Sequence, residues 1–172
     1  AANELAGLEF ATGIWGTIGG AIFGNAGAYG DDIGTVVRSA QLVDRQGNIN
    51  NVGKDYFEFG YRTSKLKVTG EFIVTARLAL KKGDKDKISG KIKEIMDLRK
   101  NKLPLDEKSA GCFFKNIIDE RQKFGKLPAG QLLEEIGAKE ASYGGARVFP
   151  KHANIIINDG TAQSKDIKKL AD

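Results

Sequence analysis

The sequence is poor in the residues that build disulfides, metal sites and membrane spans. Its 172 residues include one cysteine, Cys112, and one histidine, His152. An intramolecular disulfide is therefore excluded, and a zinc site would lack its usual ligands. The longest mainly apolar runs, Phe10–Ile14 and Ile155–Ile157, are far shorter than the roughly 20 residues that cross a bilayer. We expect neither a metal nor membrane insertion.

Charge and hydrophobic content are those of a folded domain. Hydrophobic residues make up 41% and charged residues 28%, a balance that excludes wholesale disorder. The formal net charge of +5 is a mild excess that suits an anionic ligand. The lysine-rich stretch Lys81–Lys102 alternates with acids and lacks stacking aromatics, which favours a solvated helix face. Nucleic acid is therefore not an expected partner.

Glycines are concentrated between Gly7 and Gly34, a stretch without lysine or arginine. Apolar residues alternate with these glycines too densely for a flexible linker. The pattern predicts a short glycine-bearing helix near Thr17–Asn25 and a turn at Gly27–Gly30. Backbone N–H groups near a helix start can cradle phosphate, but the spacing fits neither a P-loop nor the dinucleotide fingerprint. On composition alone, phosphate binding and tight backbone packing both remain open.

The rest of the chain carries alternating strand and helix signals. Apolar spacing from Ile88 predicts an amphipathic helix to about Lys100, and Pro104 breaks it, so we predict a domain boundary after Lys102. Turn-forming and helix-capping residues define where the other predicted strands and helices begin and end. The remaining predictions are a hairpin of Thr35–Val43 and Ile49–Val52, a largely buried strand Glu71–Leu80, a helix Pro128–Gly137, a strand Ala153–Asn158, and a last helix capped by Ser164 and reaching Asp172.

Single residues in three settings are candidates for chemistry, each with a plainer alternative. Arg62 follows a glycine and aromatics, and a guanidinium pairs well with carboxylate or phosphate, although most loop arginines are only solvated. Cys112 has a thiol whose pKa a nearby Lys115 would lower, but a lone cysteine among aromatics is usually buried and inert. His152 is either an anion-binding donor or a structural histidine at a strand edge.

Taken in order, the motifs of the chain resemble those of one family. They are Gly7–Glu9, the run Gly13–Ala21, Asn25–Gly30, Phe59–Arg62, Arg99–Pro104, Ser109–Asn116, Lys126–Gly130, Gly144–Ala146 and Lys151–Ala153. Each motif alone is weak, but their order and spacing together are specific. The sequence resembles the UDP-N-acetylenolpyruvoylglucosamine reductases, also called UDP-N-acetylmuramate dehydrogenases, which are flavoenzymes of bacterial peptidoglycan synthesis.

The resemblance implies an α+β fold and an organisation into domains. Residues 1–102 would be the later part of a flavin-binding α+β domain, and residues 103–172 a smaller α/β domain that binds the UDP-sugar. The family's opening flavin-binding subdomain would precede this sequence. A last strand with a catalytic glutamate would follow Asp172. We expect a monomer located in the cytoplasm, where NADPH and UDP-sugars are found.

The implied reaction is the FAD-dependent, NADPH-linked reduction of the enolpyruvyl group of UDP-N-acetylglucosamine enolpyruvate to UDP-N-acetylmuramate. By resemblance, Arg62 would stabilise the charge that develops on the substrate. Cys112 would donate the proton from a position where the family usually has serine. The substrate would contact Tyr61, Lys102, Asn116 and His152, and FAD would contact Gly16, Thr17, Gly19, Gly20 and Ala21.

Two other functions remain as alternatives. The first is a non-catalytic module that holds a UDP-sugar without bound flavin. The second is a related flavin oxidoreductase with another substrate, which the motifs Ser109–Asn116 and Lys126–Gly130 disfavour. Flavin colour in the purified protein distinguishes the first alternative from the reductase.

Overall fold

The structure is a computed structural model that describes residues 1–122 and 124–172. It divides into two compact units, Ala1–Met96 and Asp97–Asp172. The division falls inside one long helix, Lys85–Lys102. The domain boundary that we predict after Lys102 coincides with the end of this helix, and it stays a prediction.

The first unit is built from antiparallel sheets and short helices. Its widest sheet has the strand order β5-β4-β6, and the pairs β1-β7 and β2-β3 are short ribbons. Short 3₁₀ helices cover Glu9–Ala11, Ile33–Thr35 and Lys54–Phe57. The elements are β1 (Leu5–Ala6), α1 (Ile18–Phe23), β2 (Gly27–Ala28), β3 (Asp31–Asp32), β4 (Val37–Val43), β5 (Ile49–Gly53), α2 (Leu66–Thr69), β6 (Phe72–Leu78), β7 (Lys81–Lys82) and the start of α3 (Lys85–Lys102).

The core of the first unit confirms several predictions. Helix α1 lies within the predicted range Thr17–Asn25, and β4 and β5 form the predicted hairpin. Helix α3 has the predicted amphipathic pattern, with Ile88 and Ile95 buried. The central strand β4 packs against the 3₁₀ helix Lys54–Phe57, and α1 packs against β6. Fully buried side chains in this core include Ile22, Val37, Leu42, Phe57 and Leu66.

The prediction of a largely buried strand at Glu71–Leu80 is wrong. Strand β6 alternates between covered and exposed positions, with Phe72 68% and Val74 53% exposed. Ile73 and Leu78 pack against the core from the other face. The reason is that an antiparallel sheet can be covered on one face only, and the core lies against the face of β6 that carries Ile73 and Ala76. The apolar sequence EFIVTARLAL therefore led to a prediction of more burial than this strand has.

The second unit is a three-stranded sheet with helices packed against it. The sheet has the strand order β10-β11-β12, and β8 and β9 form a separate short pair. A 3₁₀ helix covers Ala138–Glu140. The elements are β8 (Ile117–Ile118), β9 (Lys126–Leu127), α4 (Ala129–Glu135), β10 (Ser142–Tyr143), β11 (Ala146–Phe149), β12 (His152–Asn158) and α5 (Ser164–Ala171).

Strand β12 is the centre of the second unit. It includes the whole predicted strand Ala153–Asn158, and its residues are buried from Ala153 through Ile157. Ile155 and Ile157 form the core with Phe149 and the flanking Leu103. On the edge away from β11, backbone bridges join Cys112 to Ile155 and Lys108 to Asn158. The segment that carries Cys112 therefore completes the pairing of β12.

The ends of two helices test the capping predictions. Helix α4 is followed by Gly137 at φ +76°, in the left-handed conformation that favours glycine, as predicted. Ser164 is wrong as the cap of α5, because it is the first helical residue. The backbone N–H of Gln163, which precedes the helix, instead donates to Asp166 Oδ2 at 2.9 Å. An acidic side chain one turn into the helix therefore performs part of the capping.

The described chain is a mixed α+β protein, as expected. Among residues 1–122 and 124–172, no helix is both long and apolar enough to cross a membrane. Within the same ranges, no group of His, Cys, Asp or Glu side chains is arranged to hold a metal ion.

Candidate functional site

Arg62 lies in a strained tight turn of the first unit. Gly60 and Thr63 exchange backbone hydrogen bonds of 3.1 and 3.2 Å across this turn. Arg62 itself has φ +57°, in the left-handed region that non-glycine residues rarely adopt. Such a conformation costs on the order of 1–3 kcal/mol and is concentrated at functional sites. Glu4, Tyr29 and Glu58 also have positive φ, so this conformation reflects a tight turn and does not by itself assign a function to Arg62.

The Arg62 side chain is held in place by contacts with neighbouring residues. Its Nη2 donates to the Gly27 carbonyl at 2.7 Å, and its guanidinium carbon lies 5.4 Å from the Tyr61 ring centroid. Lys67 Nζ donates to the Arg62 carbonyl at 2.7 Å. A guanidinium has five N–H donors in a planar fork. One bond to a carbonyl therefore orients the group, and further N–H donors can bond to a ligand.

A buried asparagine joins the Arg62 turn to the glycine-rich segment. Asn25 is 3% exposed, and its Nδ2 donates to the Gly60 carbonyl at 3.0 Å. Its Oδ1 accepts from Gly34 N at 3.1 Å. Ser64 adds a second tie, because its Oγ donates to the Phe23 carbonyl at 2.8 Å. The predicted catalytic arginine and the predicted cofactor segment are thus parts of one hydrogen-bonded structure.

The hydrogen bonds of the Asn25 and Ser64 side chains were not predicted from the sequence. Asn25 had a detectable signal, because asparagine directly after a glycine-bearing helix suits the left-handed conformation that it adopts here, φ +43°. Nothing in the sequence distinguishes Ser64 from any other loop serine.

The glycine-rich segment lines a cavity of about 460 Å³ in the first unit. Four of the five residues predicted to contact a cofactor lie in its wall, together with Trp15, which is 84% exposed. Thr17 caps α1, since its Oγ1 accepts from Gly20 N at 3.0 Å. The fifth residue, Gly19, instead lines a neighbouring cavity of about 480 Å³. The four wall residues are Gly16, Thr17, Gly20 and Ala21.

Cys112 is exposed in the second unit, so the interpretation as a buried, inert cysteine is wrong. Gly111, directly before it, has φ +85°, and its N–H donates to Ser109 Oγ at 3.0 Å. This turn brings the chain onto the edge of β12, where Cys112 bridges to Ile155. The small residues before the thiol therefore serve a geometric purpose, which is to deliver it to the strand edge.

His152 begins β12 and is half-buried beside α4. Burial lowers the pKa of His152, the Glu134 carboxylate partly opposes this, and the positive charge of Lys102 adds to it. Nδ1 of His152 accepts from Asn154 N at 3.3 Å, a contact that favours the neutral form with its proton on Nε2. A neutral imidazole with an N–H donor is suited to bind a polar or anionic ligand.

The other predicted substrate residues surround the same end of β12. Asn116 Oδ1 accepts from Ala129 N at 3.1 Å at the start of α4. The next residue of that helix, Gly130, packs so closely that a Cβ there would lie 3.0 Å from His152 Cε1. Lys102 is exposed at the end of α3, near enough for its charge to act on His152. The second unit therefore groups Lys102, Asn116 and His152, while the first groups Tyr61 and Arg62 with the glycine segment.

Comparison with known proteins finds a family model and several related enzymes. Residues 103–172 match the family described as "UDP-N-acetylenolpyruvoylglucosamine reductase, C-terminal domain". UDP-N-acetylenolpyruvoylglucosamine reductase of Clostridium tetani (strain Massachusetts / E88) is 45% identical over 167 residues, which cover 97% of this chain and 52% of the relative. The same enzyme of Clostridium botulinum (strain Eklund 17B / Type B) is 41% identical over 167 residues, covering 97% and 53%.

The solved structures include a similar chain. The crystal structure of UDP-N-acetylenolpyruvylglucosamine reductase from Thermus caldophilus matches with a TM-score of 0.85 and 33% identity, covering 98% of this chain and 59% of that one. These matches define the class as a mixed α+β chain with the reductase C-terminal domain in its second half. The chain belongs to the UDP-N-acetylenolpyruvoylglucosamine reductase family. It spans about half the length of the curated relatives that it matches.

Proposed function

We propose that the protein reduces the enolpyruvyl group of UDP-N-acetylglucosamine enolpyruvate to give UDP-N-acetylmuramate, in peptidoglycan precursor synthesis. The observation that carries the proposal is the anchored Arg62 turn, a strained cationic site built into the glycine-rich unit. Membership of the family and the exposed thiol of Cys112 add support. We further propose that the protein acts as a monomer in the cytoplasm, with residues 1–102 serving the flavin and residues 103–172 the UDP-sugar.

The chemistry of the reaction assigns distinct tasks to Arg62 and Cys112. Addition of hydride at C3 of the enolpyruvyl group leaves negative charge at C2, which spreads into the adjacent carboxylate. A guanidinium paired with that carboxylate stabilises the charge most in the transition state, where the charge develops. The Cys112 Sγ–H then donates its proton to C2 and becomes a thiolate. Because Cys112 is exposed, water can return the proton.

We propose that the second unit holds the nucleotide-sugar. Lys102 supplies a positive charge for the diphosphate, and the basic residues that surround it at the end of α3 add to the attraction. The Nε2–H of His152 and the amide of Asn116 are polar groups at the same end of β12. Tyr61 would contact the substrate from beside Arg62.

The glycine segment fits FAD on the chemistry of its cavity. Apolar side chains such as Phe10, Ile14 and Trp15 line it, as suits a flat aromatic ring system. Gly16 has φ +138°, and a Cβ built there would meet no atom within 4 Å, so the backbone is open to a ligand. We propose that FAD is held by Gly16, Thr17, Gly19, Gly20 and Ala21. When bound, FAD supplies the hydride chemistry between NADPH and the enolpyruvyl group.

The central experiment measures NADPH oxidation by the intact gene product with and without UDP-N-acetylglucosamine enolpyruvate. We expect oxidation that depends on this substrate, with a product two hydrogens heavier by mass spectrometry. A yellow protein that oxidises NADPH without regard to the UDP-sugar would indicate another flavin oxidoreductase. A colourless protein that binds the UDP-sugar would instead support the non-catalytic alternative.

The flavin assignment has a matched glycine control. Gly16 and Gly47 both have positive φ and open space at Cβ, but only Gly16 lines the cavity. Both substitutions strain the backbone, by about 1–2 kcal/mol in the left-handed region and by more for Gly16, whose φ of +138° lies outside it, so the free energy of unfolding is measured for both variants. We expect flavin content, measured from the absorbance of the purified protein, to fall in Gly16→Ala and to stay at the parent level in Gly47→Ala. An equal fall in both would attribute the loss to strain alone.

A further inference from the structure

Asn154, in the middle of the second unit, makes contacts that packing alone does not require. It is 2% exposed, yet its side chain bonds to the backbone of a single residue in a distant segment. Phe114 N donates to Asn154 Oδ1 at 2.8 Å, and Asn154 Nδ2 donates to the Phe114 carbonyl at 2.8 Å. The backbone carbonyl of Asn154 also accepts from Phe113 N at 2.8 Å.

These contacts extend the pairing that holds Cys112. The chain runs along the edge of β12 through the bridges at Lys108 and Cys112. The bond from Phe113 N to the Asn154 carbonyl is the next backbone bond along this edge. A side-chain amide has an N–H donor and a C=O acceptor, as a peptide group does. The Asn154 side chain therefore makes one further pair of hydrogen bonds to the segment, at Phe114, beyond the last backbone bond. Cys112 is thereby held between a bridge at Ile155 and a clamp at Phe114.

The same residue touches His152. The backbone N–H of Asn154 donates to His152 Nδ1, and a Cβ on Gly130 would lie 3.6 Å from Asn154 Cβ as well as 3.0 Å from the imidazole. Asn154 therefore connects the segment of the thiol to the strand end that carries the histidine. A buried leucine at this position would fill the space but leave the N–H and C=O of Phe114 without these partners.

We propose that Asn154 is a positioning residue for Cys112: its amide fixes the backbone on which the thiol is presented for proton donation. The inference rests on the proposed function for its chemical consequence, but not for its structural one. It assigns to a buried side chain a role that acts through Cys112 and does not involve contact with substrate.

The structural consequence is tested without any activity. In Asn154→Ala the amide hydrogen of Phe114 loses its acceptor, so its exchange with solvent deuterium should accelerate at least tenfold. Asn158→Ala is the matched control, because Asn158 lies on the same strand but bonds to Gly160 and Ala162. We expect the Phe114 amide to exchange at the parent rate in Asn158→Ala. Unchanged Phe114 exchange in Asn154→Ala would overturn the proposal.

The chemical consequence is tested in the intact, flavin-loaded protein. Asn154→Ala should slow the restoration of the oxidised flavin spectrum by the enolpyruvyl substrate about tenfold, the equivalent of one hydrogen bond, with KM and NADPH-driven flavin reduction unchanged. Asn154→Asp should slow it too, since a carboxylate accepts from Phe114 N but cannot donate to the carbonyl. Asn158→Ala should match the parent.

A double variant distinguishes a positioning role of Asn154 from a general loss of structure. If Asn154 acts through Cys112, adding Asn154→Ala to Cys112→Ala should slow the reaction no further than Cys112→Ala alone. An additional tenfold loss, or a rise in KM without a change in kcat, would overturn the positioning role. Should the parent show no substrate-dependent reaction, the proposed function fails, and deuterium exchange at Phe114 still decides whether the clamp exists. If Asn154→Ala does not fold, Asn154→Leu, which fills the space but can make neither bond to Phe114, undergoes the same measurements with the same expected results.

Discussion

The two units support their candidate catalytic residues in different ways. In the first unit, the guanidinium of Arg62 is itself bonded to a carbonyl, and its backbone is forced into a left-handed conformation. In the second unit, Cys112 lies in extended pairing with β12, and the described support comes through the backbone on either side of the thiol. Each arrangement includes a nearly fully buried asparagine, Asn25 in one and Asn154 in the other.

The difference follows from the number of hydrogens that each group has to offer. A guanidinium has five donors, so one can anchor it while others meet an anion. A thiol has one hydrogen, and a proton donor must give that hydrogen to the substrate. Support for Cys112 is therefore best supplied by its neighbours, which is what the bonds to Phe113 and Phe114 provide. The comparison teaches that a guanidinium can be anchored through its own side chain, and that the backbone beside a thiol can be fixed without using the thiol hydrogen.

The largest expected effect is at Cys112. Cys112→Ala removes the donor, and loss of a general acid slows the proton-dependent step by about 10²–10⁴-fold. NADPH should still reduce the flavin, because that half of the reaction does not need the thiol. Cys112→Ser retains a protic group and should keep substantial activity. Equal rates of flavin reoxidation by substrate in Cys112→Ala and the parent would remove Cys112 from the mechanism.

Arg62 is expected to come next. Arg62→Ala should lower turnover by about 10²–10³-fold, the effect of losing one oxyanion donor. Arg62→Lys keeps the charge but not the fork that reaches both Gly27 and a carboxylate, so it should recover only part of the loss. Arg77→Ala, on the exposed face of β6, is the control and should leave turnover unchanged. Parent-like turnover in Arg62→Ala would contradict the assignment.

Asn25 tests whether the first unit depends on its buried asparagine as the second is proposed to. Asn25→Ala leaves Gly34 N without its acceptor in a buried position and should lower the free energy of unfolding by about 1–3 kcal/mol. Asn51→Ala, at an exposed position of β5, should change it by less than about 0.5 kcal/mol. Denaturant titration measures both. Similar values for the two variants would show that the Asn25 bonds contribute little to stability.

The smallest expected effect is a pH dependence specific to the second unit. Because burial lowers the pKa of His152 below its ordinary 6.5, the unfolded chain takes up this proton before the folded chain does. The free energy of unfolding should therefore decrease as the pH falls below about 6.5 and through the folded pKa. His152→Gln should reduce this decrease, and since the sequence has no second histidine, the difference belongs to His152. An identical pH profile in both proteins would exclude the effect.

Local structure was predictable where a pattern extended over several residues. The helix in the glycine run, the β4–β5 hairpin, α3, α4 and β12 follow from periodicity, turn residues and caps, which act over a few neighbours. Two predictions failed for different reasons. The exposure of β6 depends on which face of its sheet the core covers, which is a tertiary property. The start of α5 depends on the local bond from Gln163 N to Asp166, only three residues away.

The candidate site was predictable only as a set of residue types. Resemblance singled out Arg62, Cys112 and the other candidate residues, and their roles stay predictions. Nothing local marked Ser64 or Asn154, because the partners of their side chains lie about 40 positions away in the chain.

The sequence by itself determined the family, the order of most elements and the residue types available for chemistry, because each of these is written in short motifs and their spacing. Only the tertiary structure decided that the Arg62 turn is bonded to the glycine segment and that Cys112 is exposed on the edge of β12. The physical reason is that a buried hydrogen bond between distant segments exists only after the chain has folded, and its partners carry no local signature of each other.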